Sequence, residues 1–337
     1  MSDKPKIAVI GAGLAGMRLT QRLRGAATVT VFEKSRGIGG RMSTRRAGER
    51  RFDHGAQYFT ARGAAFRDFL APFVAGGTVA VWEPRLMNEV VRDAAGPAGE
   101  DDAGSTRYVA CPGMNSLCRA MGQGADVALA TRVATISRDG ATWSLKTTGD
   151  TLLNGFDYVL CTAPSVQTKD LMPAEFAGHE ALAGARMAGC YSLMLGFELP
   201  PALSWDAAFV KDGPLSWIAA NHSKPERSGA EMLCQSDNAW ADENIERDQD
   251  EVRETLMAAF TEVTGTDARQ ADYKSLHRWR YAKMTTPAGA PCLFDAARGL
   301  GAAGDWCGGG RVESAFDSGN ALADAVLQDM RSAQPGA

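Results

Sequence analysis

The chain has 337 residues, 45% of them hydrophobic and 23% charged, with a formal net charge of −4, as in a soluble globular protein of one large or two moderate domains. No basic run appears, so nucleic-acid binding is not expected, and no apolar stretch approaches the roughly 20 residues of a membrane span. The seven cysteines are scattered and the four histidines lack metal-ligand spacing, so the expectation is reduced thiols, no metal, no signal segment in polar residues 1–5 and a cytoplasmic location.

Ile7–Ile10 is a short apolar run rich in β-branched residues and reads as a buried parallel strand. It enters Gly11-x-Gly13-x-x-Gly16 and a helix expected to end near Arg24. Gly11 permits a tight turn, Gly13 lets a pyrophosphate approach the backbone, and Gly16 lets the helix pack close to the strand. The helix start, at Leu14 and Ala15, offers free N–H groups to phosphates. A second strand, Val29–Phe32, ends at Glu33, where a carboxylate about 20 residues past the glycines suits the hydroxyls of an adenosine ribose. Strand, glycines, helix and acid together predict a bound dinucleotide.

Lys34 to Thr44 carries Gly37, Gly39 and Gly40, then Arg41 and Met42. This is a backbone-exposed loop with a charged donor for a phosphate. It follows the first unit directly, so both are expected to hold one ligand. In the next stretch, Arg51–Thr60 (RFDHGAQYFT), alternation puts Gln57 and Phe59 on one side, with His54 and Tyr58 offset. His54 is a candidate base, although a lone histidine beside a cofactor more often packs or hydrogen-bonds.

The run Glu33-Lys-Ser-x-Gly-x-Gly-Gly-Arg-x-x-Thr44 resembles the second FAD motif of the flavin-containing amine oxidase superfamily. Arg51–Thr60 resembles the flavin-proximal segment of its renalase branch. The resemblance implies that His54, Gly55 and Ala56 pass close to the isoalloxazine ring. It also implies that Gln57, Tyr58 and Phe59 reach substrate.

Farther on, Ala64–Phe73 reads as a short helix, Trp82–Leu86 as extended, and 93–106 as a Gly/Ala/Asp-rich loop. Tyr108–Met114 turns into a helix beginning near Asn115, with a Pro-Gly-Met turn like that of renalase-like proteins. Val127–Ile136 and Thr142–Thr147 read as strands of a meander turned at Asp139-Gly140 and Gly149-Asp150. Tyr158–Thr162 returns to the parallel sheet. The resemblance implies that the Val133 backbone contacts adenine or ribose and that Thr162 faces the dinucleotide. Cys190–Phe197, Ala207–Val210, Leu215–Ala220 and Glu231–Ser236 read as an antiparallel sheet, followed by a helix over Ala241–Thr264. Asn221–Arg227 (Asn-x-Ser-Lys-Pro-x-Arg) resembles a turn of renalase-like proteins.

Lys274–Tyr281 is expected to return to the first domain, with His277, Trp279 and Tyr281 on one face and Arg278 and Arg280 on the other. The aromatic face either walls a flavin pocket or packs across strands. Finally, a strand ends at Gly304-Asp305, and a helix begins near Val312 and runs to about Met330. Gly-Asp here resembles the third FAD motif, which implies that Asp305 accepts from a ribityl hydroxyl. The helix start, at Arg311 and Val312, then faces the flavin pyrimidine end, where its dipole favours the negative charge of reduced flavin. Asp305–Glu313 matches the renalase signature. Cys307 is expected to be a small buried thiol, because that family holds FAD noncovalently.

The expected fold is α/β: an FAD-binding Rossmann-type domain (1–61, 107–164 and 276–337) plus an antiparallel-sheet substrate domain (62–106 and 165–275), of the p-hydroxybenzoate hydroxylase and amine oxidase type. Only one dinucleotide-binding unit is visible, so a nicotinamide substrate would bind in the cleft between the domains. The resemblance implies an FAD-dependent oxidase that takes hydride from dihydronicotinamides reduced at the 2 or 6 position. Its products are ordinary oxidised NAD(P) and, through dioxygen, hydrogen peroxide. Gln57 and Arg311 are the expected contacts to the carboxamide or ribose, and Tyr58, Phe59 and Trp279 shape the ring site. The alternatives are a flavin amine oxidase, with Lys283 as the lysine near flavin N5, and a non-catalytic FAD-binding or redox-partner protein.

Overall fold

The computed structural model describes residues 4–90 and 105–332. The apolar run at the N-terminus forms the strand Lys6–Ile10, in the middle of a six-stranded sheet. Across that sheet the strands are Leu293–Asp295, Leu300–Ala302, Tyr158–Cys161, Lys6–Ile10, Thr28–Phe32 and Asp126–Ala128. All pair in parallel except the edge hairpin of Leu293–Asp295 on Leu300–Ala302. Burial on both faces explains the unbroken apolar run. On one face Ile7 and Val9 share a core with Met17, Leu19 and Leu23 of the helix Leu14–Leu23. Phe316, Leu322, Ala323 and Val326 of the helix Val312–Ser332 join the same core. On the other face Ala8 and Ile10 meet Trp143, Leu145 and Phe156 of the meander Val133–Asp139, Thr142–Thr147 and Leu152–Phe156.

The second six-stranded sheet runs Tyr273–Thr286, Arg186–Gly196, Glu231–Ser236, Leu215–Ala220, Ala207–Val210 and Leu86–Val90. It is antiparallel apart from the last pair, which is parallel. Tyr191, Leu193 and Leu195 point to one face, against Val252, Leu256, Met257 and Phe260 of the helix Gln249–Thr264. Each such fully buried side chain contributes roughly 1.5–3 kcal/mol. From the other face Ser192 and Met194 meet the chain around Phe52 and His54. Among the described residues no helix is long and apolar enough to cross a membrane.

Three elements differ from the sequence reading. The expected strand Val127–Ile136 is two, Asp126–Ala128 in the parallel sheet and Val133–Asp139 in the meander. Between them Ala130 takes φ 52°, and Ala130 and Thr131 donate backbone N–H to Ser35 O and Glu33 O. This bend carries Thr131–Ala134 to the site described below. The expected helix Ala241–Thr264 is also two, Asn238–Glu243 and Gln249–Thr264. Asp248 caps the second by accepting from the backbone N–H of Asp250 and Glu251. Lys274–Tyr281 does not return to the first sheet: it lies in Tyr273–Thr286, paired along its length with Arg186–Gly196. The expected boundary at 275/276 falls inside this strand. Most of the loop expected at 93–106 lies outside the described residues.

Candidate active site

A cleft of about 1210 Å³ runs between the two sheets, beginning at the C-terminal ends of the parallel strands, where open α/β sheets take their ligands. Of the residues expected to hold the cofactor, Gly11, Gly13, Leu14, Ala15, Glu33, Lys34, Gly40, Arg41, Met42, His54, Gly55, Ala56, Val133, Thr162, Gly304, Asp305, Arg311 and Val312 line it. Gly16 does not. A Cβ there would lie 2.0 Å from Gly11 O and 2.8 Å from Thr162 Oγ1, so Gly16 serves by letting the helix close on the strand.

At one end the Glu33 carboxylate is buried and accepts the backbone N–H of Ala12 (2.8 Å) and Ser35 (2.7 Å). It ties the two glycine loops together. Thr162 Oγ1 donates to the turn after the first strand, at Ile10 O and Gly11 O, both 3.1 Å. In the middle Arg41 pairs through both guanidinium nitrogens with Asp305, one contact being 2.9 Å, and donates to Ala282 O at 3.0 Å. The sequence reading gave these two side chains to a phosphate and a ribityl hydroxyl. Here they face each other across the cleft.

The far end is built on residues 53–57, whose carbonyls are held from several sides. His54 O accepts from Trp279 Nε1 (2.8 Å) and Ser192 Oγ (2.7 Å), and Gly55 O from Gln235 Nε2 (2.7 Å) and Gln57 Nε2 (3.1 Å). Ala56 N donates to Arg41 O at 2.9 Å. A Cβ on Gly55 would lie 1.9 Å from that same oxygen, so only glycine fits. The His54 ring stacks on Trp279 (5.4 Å, 27°) and meets His277 edge-on (4.9 Å, 90°). Burial, with His277 and Arg45 close by, pulls the His54 imidazole down to about 4. Burial and Arg45 do the same to His277. Both rings are therefore neutral near pH 7. His54 Nδ1 is buried with no hydrogen-bond partner among the described residues.

Three expected substrate contacts lie elsewhere. Gln57 is buried and turned away from the cleft, its amide donating to Asp53 O (2.5 Å) and Gly55 O. Tyr58 packs between Trp82 and Trp217. Phe59 is in the core against Phe66 and Tyr108. In each case aromatic or amide partners in the interior outweigh exposure to the cleft. Trp279, Arg311 and Lys283 do line it. Cys307 does not; burial pushes its thiol up to about 12. Residues that the sequence reading missed are Asp53, Ser192, Gln235 and Lys224. The last stood in a noticed motif, Asn221–Arg227, whose role nothing local revealed.

The family model for flavin containing amine oxidoreductases matches residues 94–327, and that for NAD(P)-binding Rossmann-like domains matches residues 9–73. The chain belongs to the flavin containing amine oxidoreductase family. Similar solved structures include an Exiguobacterium sp. 255-15 protein assigned as a protoporphyrinogen oxidase (TM-score 0.75, 14% identity, 98% of this chain and 100% of that one). Cyclohexylamine oxidase from Brevibacterium oxydans IH-35A gives a TM-score of 0.74 at 14% identity, covering 97% of this chain and 100% of that one. Putrescine oxidase with bound putrescine gives 0.68 at 13%, covering 96% and 99%. At these identities the likeness concerns the fold.

The residues fit a flavin dinucleotide. Eight charged residues besides Arg278 and Arg280 line the cleft, and five of them are cationic. Gly13 and Gly40 approach so closely that a Cβ on Gly40 would lie 3.2 Å from Gly13 Cα, leaving bare backbone for a diphosphate. The orphaned His54 Nδ1 marks the other end as a place for a polar ligand atom. Pockets for drug-sized ligands span about 300–1,000 Å³, so this cleft has room for a dinucleotide and part of a second molecule.

Proposed function

We propose that the protein is an FAD-dependent oxidase of isomeric dihydronicotinamides. It takes hydride from 2- or 6-dihydroNAD(P) to leave β-NAD(P)⁺, with dioxygen as final acceptor and hydrogen peroxide as second product. A bound flavin supplies the hydride acceptor. The charge of the cleft carries this reading: Lys34, Arg41, Arg132, Lys283 and Arg311 line it, against Glu33, Asp170 and Asp305. Such a surplus attracts the diphosphates of both a cofactor and a dinucleotide substrate, and repels a cationic amine. Arg278 and Arg280 lie on the other face of their strand, where their guanidinium groups are held by Ile245 O (2.7 Å) and the Glu246 carboxylate (2.9 Å). Trp279 and the neutral rings of His54 and His277 offer an aromatic wall for a dihydropyridine. Loss of hydride from such a ring releases no proton, so neutral imidazoles suffice.

Anaerobic stopped-flow absorbance tests the reading, with 2- and 6-dihydroNAD, ordinary NADH and a panel of amines. We expect the visible flavin band to bleach rapidly with one dihydronicotinamide isomer. Bleaching by an amine alone overturns this in favour of an amine oxidase. Lys283 in the cleft wall supports that second reading. Bleaching by none of them points to an FAD-binding protein that turns over neither class.

The same assay carries a pH prediction. With both imidazoles at about 4, the reduction rate should show no histidine inflection between about pH 5.5 and 7.5, whereas an unperturbed histidine would titrate near 6.5.

A further inference from the structure

Behind residues 53–57, on the side away from the cleft, lies an ionic cluster that the proposed reaction does not use. Asp53 is fully buried. Its Oδ2 accepts from Arg227 Nη2 (2.9 Å), Arg227 Nε (3.2 Å) and Lys224 Nζ (3.4 Å). Its Oδ1 accepts from Thr44 Oγ1 (2.6 Å) and Met114 N (3.3 Å). The side chains of Lys224 and Arg227 are 0% and 1% exposed, so two cations are buried with one anion. Arg227 alone would neutralise Asp53. The lysine is surplus, and burying it is costly.

What Lys224 does besides is donate to Gln57 Oε1 at 3.2 Å. Gln57 in turn donates to Asp53 O and Gly55 O, the carbonyls on either side of His54. The ammonium thus stands one side chain behind the backbone that walls the far end of the cleft.

We propose that Lys224 is a positioning residue for the flavin: through Gln57 it fixes the backbone of His54–Ala56, and its charge behind that backbone favours the negative charge of reduced flavin. This rests on a flavin occupying the cleft, and not on which substrate reduces it. Burial brings Lys224 down to about 8, against the pull of Asp53, so the surplus charge is present at neutral pH. The charged groups facing it are Asp53 and Arg227. Cys111, beside Arg227 at 3.6 Å, has its thiol pushed up by burial.

The test is the midpoint potential of the bound FAD in purified holoprotein, equilibrated with redox dyes and no substrate. Lys224→Met should lower the reduced-to-oxidised ratio at fixed potential about tenfold, which is about 30 mV for a two-electron couple. Lys224→Arg, which keeps the charge, should restore most of it. Gln57→Leu, which keeps Lys224 and cuts the relay, should release FAD more readily while holding the potential near wild type. An unchanged potential in Lys224→Met overturns the proposal. If that variant does not fold, the wild-type potential is followed from pH 6.5 to 9.5. Loss of the lysine proton should bend the plot near pH 8, and a straight line overturns the proposal. A wrong substrate assignment would show separately, as no bleaching by dihydronicotinamides with these potentials intact.

Discussion

Asp53→Asn is expected to cost about 3–5 kcal/mol of folding stability. The substitution leaves Lys224 and Arg227 buried with no counter-charge. Burial by itself would raise the Asp53 carboxyl. Lys224 and Arg227 outweigh it, with hydrogen bonds from Thr44 and Met114, and hold it below the usual carboxylate range. The carboxylate is thus ionised at every pH where the protein is handled, and its loss is felt throughout. Lys224→Met should behave oppositely. It leaves Asp53 paired with Arg227, so stability at pH 7 should stay within about 1 kcal/mol of wild type or rise. The folded value of Lys224, about 8, lies below its ordinary 10.5. Between those values the unfolded chain holds more protons, so wild-type stability climbs with pH across that window. Lys224→Met should flatten the climb. Urea unfolding of both single variants and the double variant closes the cycle. Independent, additive effects would show that the three charges do not act as a unit.

The second large effect is expected at Gly16→Ala. The new Cβ would lie 2.0 Å from Gly11 O, 3.1 Å from Gly11 C and 2.8 Å from Thr162 Oγ1. Two of these atoms are backbone and cannot swing aside. The helix Leu14–Leu23 must then move off the strand, carrying its free N–H groups away from the phosphate position. Overpacking of this kind costs about 1–3 kcal/mol. Spent on the nucleotide turn, that is roughly a 5- to 150-fold weaker hold on FAD. The variant should purify pale, and titration of FAD by fluorescence quenching should give the altered dissociation constant. Undiminished affinity would mean that the helix start does not contact the phosphates.

These two sites differ in how far the chain announces them. Gly11, Gly13, Gly16 and Glu33 lie within one βαβ unit, where spacing alone fixes geometry, and Glu33 is found binding the glycine turn. The break between Asn238–Glu243 and Gln249–Thr264 was also readable: Asp248-x-x-Glu251 has the form of a helix start. The periodicity of Ile245, Val252, Leu256 and Phe260 masked it. Gln57 was not readable in this way. Alternation correctly grouped it with buried Phe59 but could not say which side faced the cleft. That choice is made by Lys224, 167 residues away in sequence. Likewise the kink at Ala130 depends on carbonyls of Glu33 and Ser35 in another element. Local patterns fixed the dinucleotide end, and long-range pairing fixed the far end.

The strand Tyr273–Thr286 bears on how such enzymes can be recombined. It is laddered to the second sheet from Gly196↔Tyr273 to Arg186↔Thr286, and its Ala282 carbonyl is also a ligand for Arg41 in the cofactor half. One unbroken backbone thus belongs to both halves. A chimera that joins this cofactor half to another substrate sheet at 275/276 would cut through a hydrogen-bonded ladder and leave a new frayed edge. A crossover in the turn beyond Thr286, before Leu293–Asp295 re-enters the first sheet, would transplant the sheet with its whole edge. Such a graft must then supply its own carbonyl to Arg41.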